Sequence, residues 1–341
     1  MDAGLIRAAA LAAAFTLLPG CYYGHLARGQ FDLLSKRVPI AEVLADPATD
    51  AVLRRKLERA LDARAFATRT LGLPDNASYT SYADLGRPYA VWNVFAAPEL
   101  ALEPHEWCYP FLGCLAYRGY YDRARAEAAA AELREQGLDV FVAGIPAYST
   151  LGWFDDPLLN TMAGDEDAIA GTIFHELAHQ VQFVDGDTAF NESFATFVEQ
   201  EGLRRYLKDA PELAAQAARR QRWHAGFVAL MLGARERLEQ VYASDAPVAD
   251  KRERKRAEFE RLRADYTALR RAWRGDADTG TLENANNALL LPFGLYNTWV
   301  PAFERLFARE RGDWRAFYRA VGDLAKLDED ERTARLEALA R

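Results

Sequence analysis

The segment His175-Glu176-Leu177-Ala178-His179 constrains the fold of this chain more than any other feature of its sequence. It places two imidazoles four residues apart, and side chains at that spacing share one face only if the segment is an α-helix. Two imidazoles so placed can hold one zinc ion, while the carboxylate between them can act as general base on a metal-bound water. The chain has only five histidines, so a chance pairing of this kind is rare. We therefore predict a metal-binding helix with Glu176 as the catalytic base.

A third metal ligand is predicted on the following helix, because a catalytic zinc ion takes three protein ligands and leaves one position for water. The turn at 185–187 would set two helices side by side and bring Glu192 to the histidines. Glu192, Thr196 and Glu199 recur at i, i+4 and i+7, so they share one stripe of that helix. We assign Glu192 to the metal, and Glu199 either to a histidine Nδ1–H or to a solvated surface. The two aspartates of the turn compete for the ligand role, but helix capping explains both.

The remaining periodicity predicts an α+β protein that is mainly helical. Strands at Tyr89 to Phe95 and at Asp139 to Ala143 form a small sheet before the metal helix, which we place at Asp165 to Val184. Glu212 to Trp273 is helical in pattern with a break at 244–247, which predicts a long helical hairpin over about 210–274. We expect residues 21–341 to form a single domain that includes this hairpin.

The N-terminus predicts export and attachment to a membrane. Ala8 to Leu18 is apolar, too short to span a bilayer, and suited to the core of a signal peptide. Leu18-Pro19-Gly20-Cys21 resembles the lipobox of bacterial lipoproteins, which implies removal of residues 1–20 and lipidation of Cys21. Tyr22, in place of Asp after that cysteine, favours the outer membrane under the enterobacterial sorting rule, with the protein facing the periplasm. A plain secretory signal, or an apolar helix with an incidental cysteine, is the alternative.

The other two cysteines and the net charge narrow the class of protein. Cys108 and Cys114 are an even pair in an oxidising compartment, so they either form a disulfide that closes a short loop or remain two free buried thiols. The net charge of −8 argues against a nucleic-acid partner. The basic run at 251–256 is interrupted by Glu253, and we interpret it as a solvated helix face.

Two segments resemble the gluzincin metallopeptidases: HELAHQ at 175–180 and NESFATFVE at 191–199. In enzymes related to aminopeptidase N the first Glu of the second segment binds zinc, and the residue that matches it here is Glu192. The gap between the segments is shorter in this chain, and the GxMEN segment that holds the substrate amine in those enzymes is missing.

A second resemblance covers nearly the whole mature chain, and it is to bacterial lipoproteins described as "putative aminopeptidases". The segments that carry it are 113–114 and 117–120, 147–157, the two gluzincin-like segments, 286–288 and 300–303. This resemblance implies a zincin-like metallopeptidase core with one Zn²⁺, a peptide substrate and a lipid anchor. It also suggests that Tyr148, Asn286, Asn287 and Tyr296 face the cleft.

The sequence thus leaves distinct hypotheses open. The leading one is a zinc-dependent metallopeptidase, by resemblance an aminopeptidase, in which Glu176 activates the water. The alternatives are a non-catalytic zinc-binding envelope lipoprotein that acts as a scaffold or binding partner, and an accidental motif on a structural helix. Tyr148, Tyr296 and His224 are the candidates for stabilising an oxyanion. An aminopeptidase also needs a carboxylate for the substrate ammonium, and Glu199, Asp155 and Asp156 are available.

Overall fold

The fold comes from a computed structural model that describes residues 20–109, 113–147, 150, 153–162, 166–273, 282–296 and 298–341. Of Cys21 and Tyr296 it describes the backbone only, and Tyr148 lies outside these residues. The chain is mainly helical with small sheets, as the sequence predicts. None of the helices in the described ranges combines the length and apolar character needed to cross a bilayer.

The helices and strands are numbered along the chain over the described residues. The helices are α1 (Gly20–Ser35), α2 (Ile40–Ala45), α3 (Ala51–Leu71), α4 (Arg123–Glu135), α5 (Glu166–His179), α6 (Thr188–Tyr206), α7 (Pro211–Ala243), α8 (Val248–Trp273), α9 (Asn287–Tyr296), α10 (Val300–Arg309), α11 (Trp314–Ala325) and α12 (Glu329–Ala340). The strands are β1 (Val38–Pro39), β2 (Ser81–Ala83), β3 (Val91–Ala97), β4 (Trp107–Tyr109), β5 (Gly113–Leu115), β6 (Arg118–Tyr120), β7 (Asp139–Ile145) and β8 (Leu158–Leu159).

The main sheet is antiparallel, with β3 between β6 and β7. Side chains alternate across a strand, so β3 presents two different faces. Trp92, Val94 and Ala96 pack against α4 in one apolar cluster. Val91, Asn93 and Phe95 point the other way and line a large cavity. The sheet therefore separates a packed layer from the space in which the candidate site lies.

The main core lies around α3, α5 and α6. Leu57 of α3, Phe174 of α5 and Phe194 of α6 are buried in one cluster. Phe303 of α10 and Phe317 of α11 close it from the other side, with their ring centroids 5.0–6.0 Å from those of phenylalanines of α6. Because both α5 and α6 bury an apolar face here, their relative position is fixed by packing as well as by the turn between them.

The predicted hairpin is formed by α7 and α8, with the break at 244–247. Its two arms share an apolar seam, to which Met231, Leu238, Phe259 and Leu262 contribute. Lys255 fastens α8 to the sheet by donating to Asp139 at 2.6 Å. The hairpin thus lies against the first residue of β7. His224 and Phe227 of α7 line the cavity.

A disulfide joins Cys108 and Cys114 across the β4–β5 pair, where the two residues are register partners. Both are exposed, in contrast to the two free buried thiols of the alternative interpretation. Six residues separate them, so the bond closes a short loop.

The metal helix ends earlier than predicted. α5 stops at His179 rather than at Val184, although Val181 and Val184 continue the apolar period. A side chain replaces the missing intrahelical bonds, since Asn191 accepts from the N–H of Val184 and donates to its carbonyl, each at 2.8 Å. This early stop leaves enough chain for α6 to turn back against α5.

Candidate metal centre

The turn between α5 and α6 places three potential ligands together. Gly186 has φ +81°, a left-handed conformation that glycine adopts without strain. Asp187 then caps α6 by accepting from the N–H of Phe190 at 2.9 Å. Asn191, only 2% exposed, bridges to Val184 as described. Glu192 follows within the first turns of α6 and points back at α5.

The cap of α6 is supported from the far end of the chain. Arg332 of α12 donates through Nε to Oδ2 of Asp187 at 2.7 Å, and both side chains are largely buried. The guanidinium also lies over the ring of Phe190, 5.5 Å from its centroid. Asp187 is thus occupied by capping and by this ion pair, which removes it from the competition for a metal.

His175, His179 and Glu192 present one atom each to a common point. Nε2 of His175 lies 3.3 Å from Nε2 of His179 and 3.3 Å from Oε2 of Glu192. Nε2 of His179 lies 3.7 Å from the same carboxylate oxygen. These three residues form a group that could hold a metal ion.

The donor set matches the requirements of zinc. Tetrahedral bonds of about 2.0–2.2 Å to nitrogen and oxygen put neighbouring ligand atoms about 3.3–3.6 Å apart. Of the observed separations of 3.3, 3.3 and 3.7 Å, two fall within this range and the third exceeds it by 0.1 Å. The residues present therefore fit a zinc ion with three protein ligands.

Glu199 orients the first histidine from the next turns of α6. Its Oε2 lies 3.1 Å from Nδ1 of His175, so this nitrogen donates and Nε2 is the nitrogen left to bind a metal. Gly171, one turn before His175, makes room, because a Cβ there would lie 3.2 Å from Oε1 of Glu199. The arrangement selects the tautomer that a metal ligand needs.

The protonation of the two histidines differs in the metal-free protein. Burial disfavours the charge on His175, but hydrogen bonds to Glu192 and Glu199 outweigh it and hold its pKa well above the ordinary value. Burial and the charge of His175 lower the pKa of His179 to about 4. Burial would raise the pKa of Glu192, yet its bond to His175 brings it below the ordinary value. The carboxylates of Glu192 and Glu199 therefore favour a positive charge at this point, which a metal cation would supply.

Glu176 lies beside the ligands and faces the same cavity. It is 8% exposed, and burial raises its pKa to about 7 against the lowering effect of the charge on His175. Asp156 and the two carboxylates of α6 all contribute to this increase. A carboxylate with a pKa near neutrality can both take and give a proton at physiological pH.

The cavity at these residues has a volume of about 890 Å³. Its polar end consists of the ligands, Glu176, Thr196 and Glu199. The rest is mostly apolar and comes chiefly from β3, β7, α7 and α9. None of the described lining residues is Lys or Arg.

The other residues predicted for the site are distributed between the cavity and the scaffold. His224 of α7 lines the cavity. Asn286 and Asn287 do not: Asn286 donates to the carbonyl of Val140 at 3.1 Å, and the amide of Asn287 donates to that of Ala101 at 2.9 Å. They fix α9 to the sheet, which corrects their predicted position in the cleft. The predictions for Tyr148 and for the side chains of Tyr296 and Cys21 lie outside the described residues.

Asp156 supports a loop instead of lining the cavity. Its carboxylate accepts from the N–H and from the hydroxyl of Thr150, both at 2.8 Å. Burial raises its pKa, and it is 3% exposed. These bonds give Asp156 a structural explanation and make it a poor partner for a substrate ammonium.

Tyr117 is a cavity residue that our sequence reasoning missed. It lies between β5 and β6, with its ring 5.5 Å from that of Phe95. Burial raises its pKa, and so do the charges of Glu192 and Glu176. The only signal for it was its place in the segment 117–120 that carries the second resemblance, because 58 residues separate it from His175.

Comparison with known proteins gives one result. A family model with the description "Putative aminopeptidase" matches residues 21–336. No curated protein and no solved structure matches the chain significantly.

Proposed function

Since this chain belongs to the family described as "Putative aminopeptidase", we propose that it is a zinc-dependent metallopeptidase of the gluzincin type with a zincin-like core. The observation that carries the proposal is the triangle of His175, His179 and Glu192, whose edges match the ligand spacing of tetrahedral zinc. When bound, a zinc ion lowers the pKa of water and polarises a carbonyl group.

Glu176 is assigned as the general base. It is next to His175 in the chain, is buried, and lines the same cavity as the three ligands. From there its carboxylate can take a proton from the attacking water and return it to the leaving amine nitrogen. Its neighbours Glu192 and Glu199 are both engaged with His175, so Glu176 is the carboxylate of this group without a histidine partner among the described residues.

Tyr117 is assigned as the donor for the developing oxyanion. It lines the same cavity as Glu176 and Glu192, and the charges of these two carboxylates raise its pKa. A phenol can donate a hydrogen bond to an oxygen that becomes negative in the transition state. His224 lines the cavity from α7 and is the competing donor.

The charge of the cavity bears on which bonds are cut. With no Lys or Arg among its described lining residues, the cavity offers no fixed cation for the carboxylate at a substrate's C-terminus. The cavity therefore suits cleavage of peptide bonds near the N-terminus of a substrate or within it, rather than at its C-terminus. We propose that the enzyme removes N-terminal residues on the basis of the family description alone.

We also propose that the protein acts in the bacterial cell envelope, held by a lipid on Cys21 at the periplasmic face of the outer membrane. The support is the lipobox-like segment before Cys21. Metabolic labelling with a palmitate analogue tests this, and loss of the label in Cys21→Ser is the expected result.

The decisive experiment measures zinc and hydrolysis on the same preparation of the full chain. We expect about one zinc per chain, cleavage of unblocked peptides, loss of cleavage with a chelator and recovery on adding zinc. Comparing free with N-acetylated peptides then separates an aminopeptidase from an endopeptidase. Stoichiometric zinc without cleavage of any peptide in a mixed library would overturn the enzymatic proposal and leave a zinc-binding scaffold.

A further inference from the structure

The cavity that holds the metal ligands also has an apolar wall, here defined as Phe95, Phe141, Ala143, Phe227, Leu289 and Phe293. These residues come from β3, β7, α7 and α9, so four separate segments converge on one space. None of the six carries a charge or a hydrogen-bonding side chain. The wall adjoins the polar end that holds Glu176 and the ligands.

Packing of aromatic rings around Phe227 supports the apolar wall. The ring of Phe227 stacks on Trp223 with centroids 5.6 Å apart, and it contacts the rings of Tyr266 and Phe293 at 5.5 and 5.4 Å. Phe227 remains half-buried, so one part of its ring is still free to contact a ligand. A ring fixed on several sides offers an apolar surface without first having to be ordered.

Ala143 provides the space. On β7 it lies between Phe141 and Ile145 on the face that lines the cavity, and it pairs with Asn93 of β3. A methyl group at this position leaves room between two larger neighbours. The other face of the strand is full, since a Cβ on Gly144 would lie 2.3 Å from the ring of Tyr89.

From this geometry we infer that the apolar wall selects peptides with a bulky apolar side chain next to the scissile bond, and that Ala143 and Phe227 set this preference. The inference rests on the proposed peptidase function. An apolar side chain gains by leaving water here, whereas a charged one would lose its hydration without finding a partner on the wall. Single methylene groups already discriminate by about 10–200-fold in such pockets.

The test uses a peptide series that differs only in the residue flanking the cleaved bond: Phe, Leu, Ala, Asp and Lys. For the zinc-loaded full chain we expect kcat/KM for the Phe and Leu peptides to exceed kcat/KM for the Ala peptide by about 100-fold. The Phe and Leu peptides should exceed the Asp peptide by a larger factor. In Ala143→Phe the Phe peptide should lose about 100-fold while the Ala peptide changes less than about 5-fold. Ala128→Phe, on the exposed side of α4, is the matched control and should behave as the unmodified protein.

A second variant and a second readout keep the inference testable if Ala143→Phe does not fold. Phe227→Ala should weaken the Phe peptide about 10-fold more than the Ala peptide. Calorimetric binding of the same peptides to Glu176→Gln should follow the same order without any turnover. Equal kcat/KM across the series would overturn the wall as a selector while leaving the peptidase proposal intact. Absence of cleavage of every peptide would instead count against the proposed function, and the binding order would then judge the wall alone.

Discussion

The two ends of the cavity are stabilised in different ways. The polar end comes from one stretch of chain, 175–199, in which His175 is hydrogen-bonded to both Glu192 and Glu199. The apolar wall comes from four segments that span more than half of the sequence and are held by ring packing. Loss of one partner in a buried polar group leaves the other unsatisfied, whereas loss of one ring from a packed wall leaves a cavity but no unpaired polar group. Substitutions at the polar end should therefore weaken zinc binding or the cleavage of every peptide, whereas those at the wall should change selectivity among peptides.

The sharpest test of the polar end is Glu176→Gln. The amide keeps the size of the carboxylate but cannot take a proton, so we expect kcat to fall by about 10³-fold with zinc content unchanged. Steady-state kinetics and metal analysis on the same samples check this. Glu127→Gln, at a glutamate of α4 that does not line the cavity, is the control. Full activity of Glu176→Gln would contradict its role as base.

Tyr117→Phe tests whether the polar end extends to a residue outside the 175–199 stretch. Removing the hydroxyl should lower kcat by about 10²-fold with little change in KM, because the bond forms only in the transition state. His224→Ala, measured in parallel, identifies the competing donor. If His224→Ala carries the loss in kcat and Tyr117→Phe does not, the assignment of Tyr117 is wrong.

Glu199→Gln examines the hydrogen bond behind the ligands. The glutamine oxygen can still accept from Nδ1 of His175 but without charge, so we expect zinc affinity to fall by about 10-fold, at the low end for partners of metal-bound histidines. Competition with a zinc-binding dye measures the affinity. An unchanged zinc affinity, together with normal stability, would favour the solvated role that we also considered for Glu199.

Two buried asparagines, one near each end of the cavity, allow the polar end and the apolar wall to be compared directly. Asn191 clamps the turn before Glu192, and Asn287, which is 0% exposed, clamps the start of α9 beneath the wall. Each replacement by Ala should lower the free energy of unfolding by about 1–3 kcal/mol, measured by urea titration, because backbone groups lose their partners. We expect Asn191→Ala alone to weaken zinc binding and Asn287→Ala alone to change selectivity in the peptide series. Equal effects of the two substitutions on zinc affinity would contradict the distinction between the polar end and the apolar wall.

The polar end was largely predictable because its chemistry is local. The spacing of His175 and His179 and the return of Glu192 after a short turn require only helix geometry and the needs of a metal ion. The end of α5 was placed wrongly, since Val181 and Val184 keep the helical period and nothing in that period reveals the side-chain clamp of Asn191.

The wall and its supports could not be predicted in the same way. Phe227 and Phe141 are ordinary apolar residues on a helix and a strand, and their meeting depends on how distant segments pack. Asn286 and Asn287 were predicted for the cleft from resemblance, but their bonds to the β3–β4 connection and to β7 are long-range contacts. Tyr117 reaches the site through the same kind of contact.

The ion pair between Asp187 and Arg332 links the ligand-bearing helix to nearly the last residues of the chain. During synthesis, Glu192 is therefore made about 140 residues before the cation that completes the cap of its helix. A nascent or truncated chain that stops short of Arg332 keeps a buried aspartate without its counter-charge. The cap of this helix is therefore complete only once Arg332 has been synthesised and has packed against Asp187.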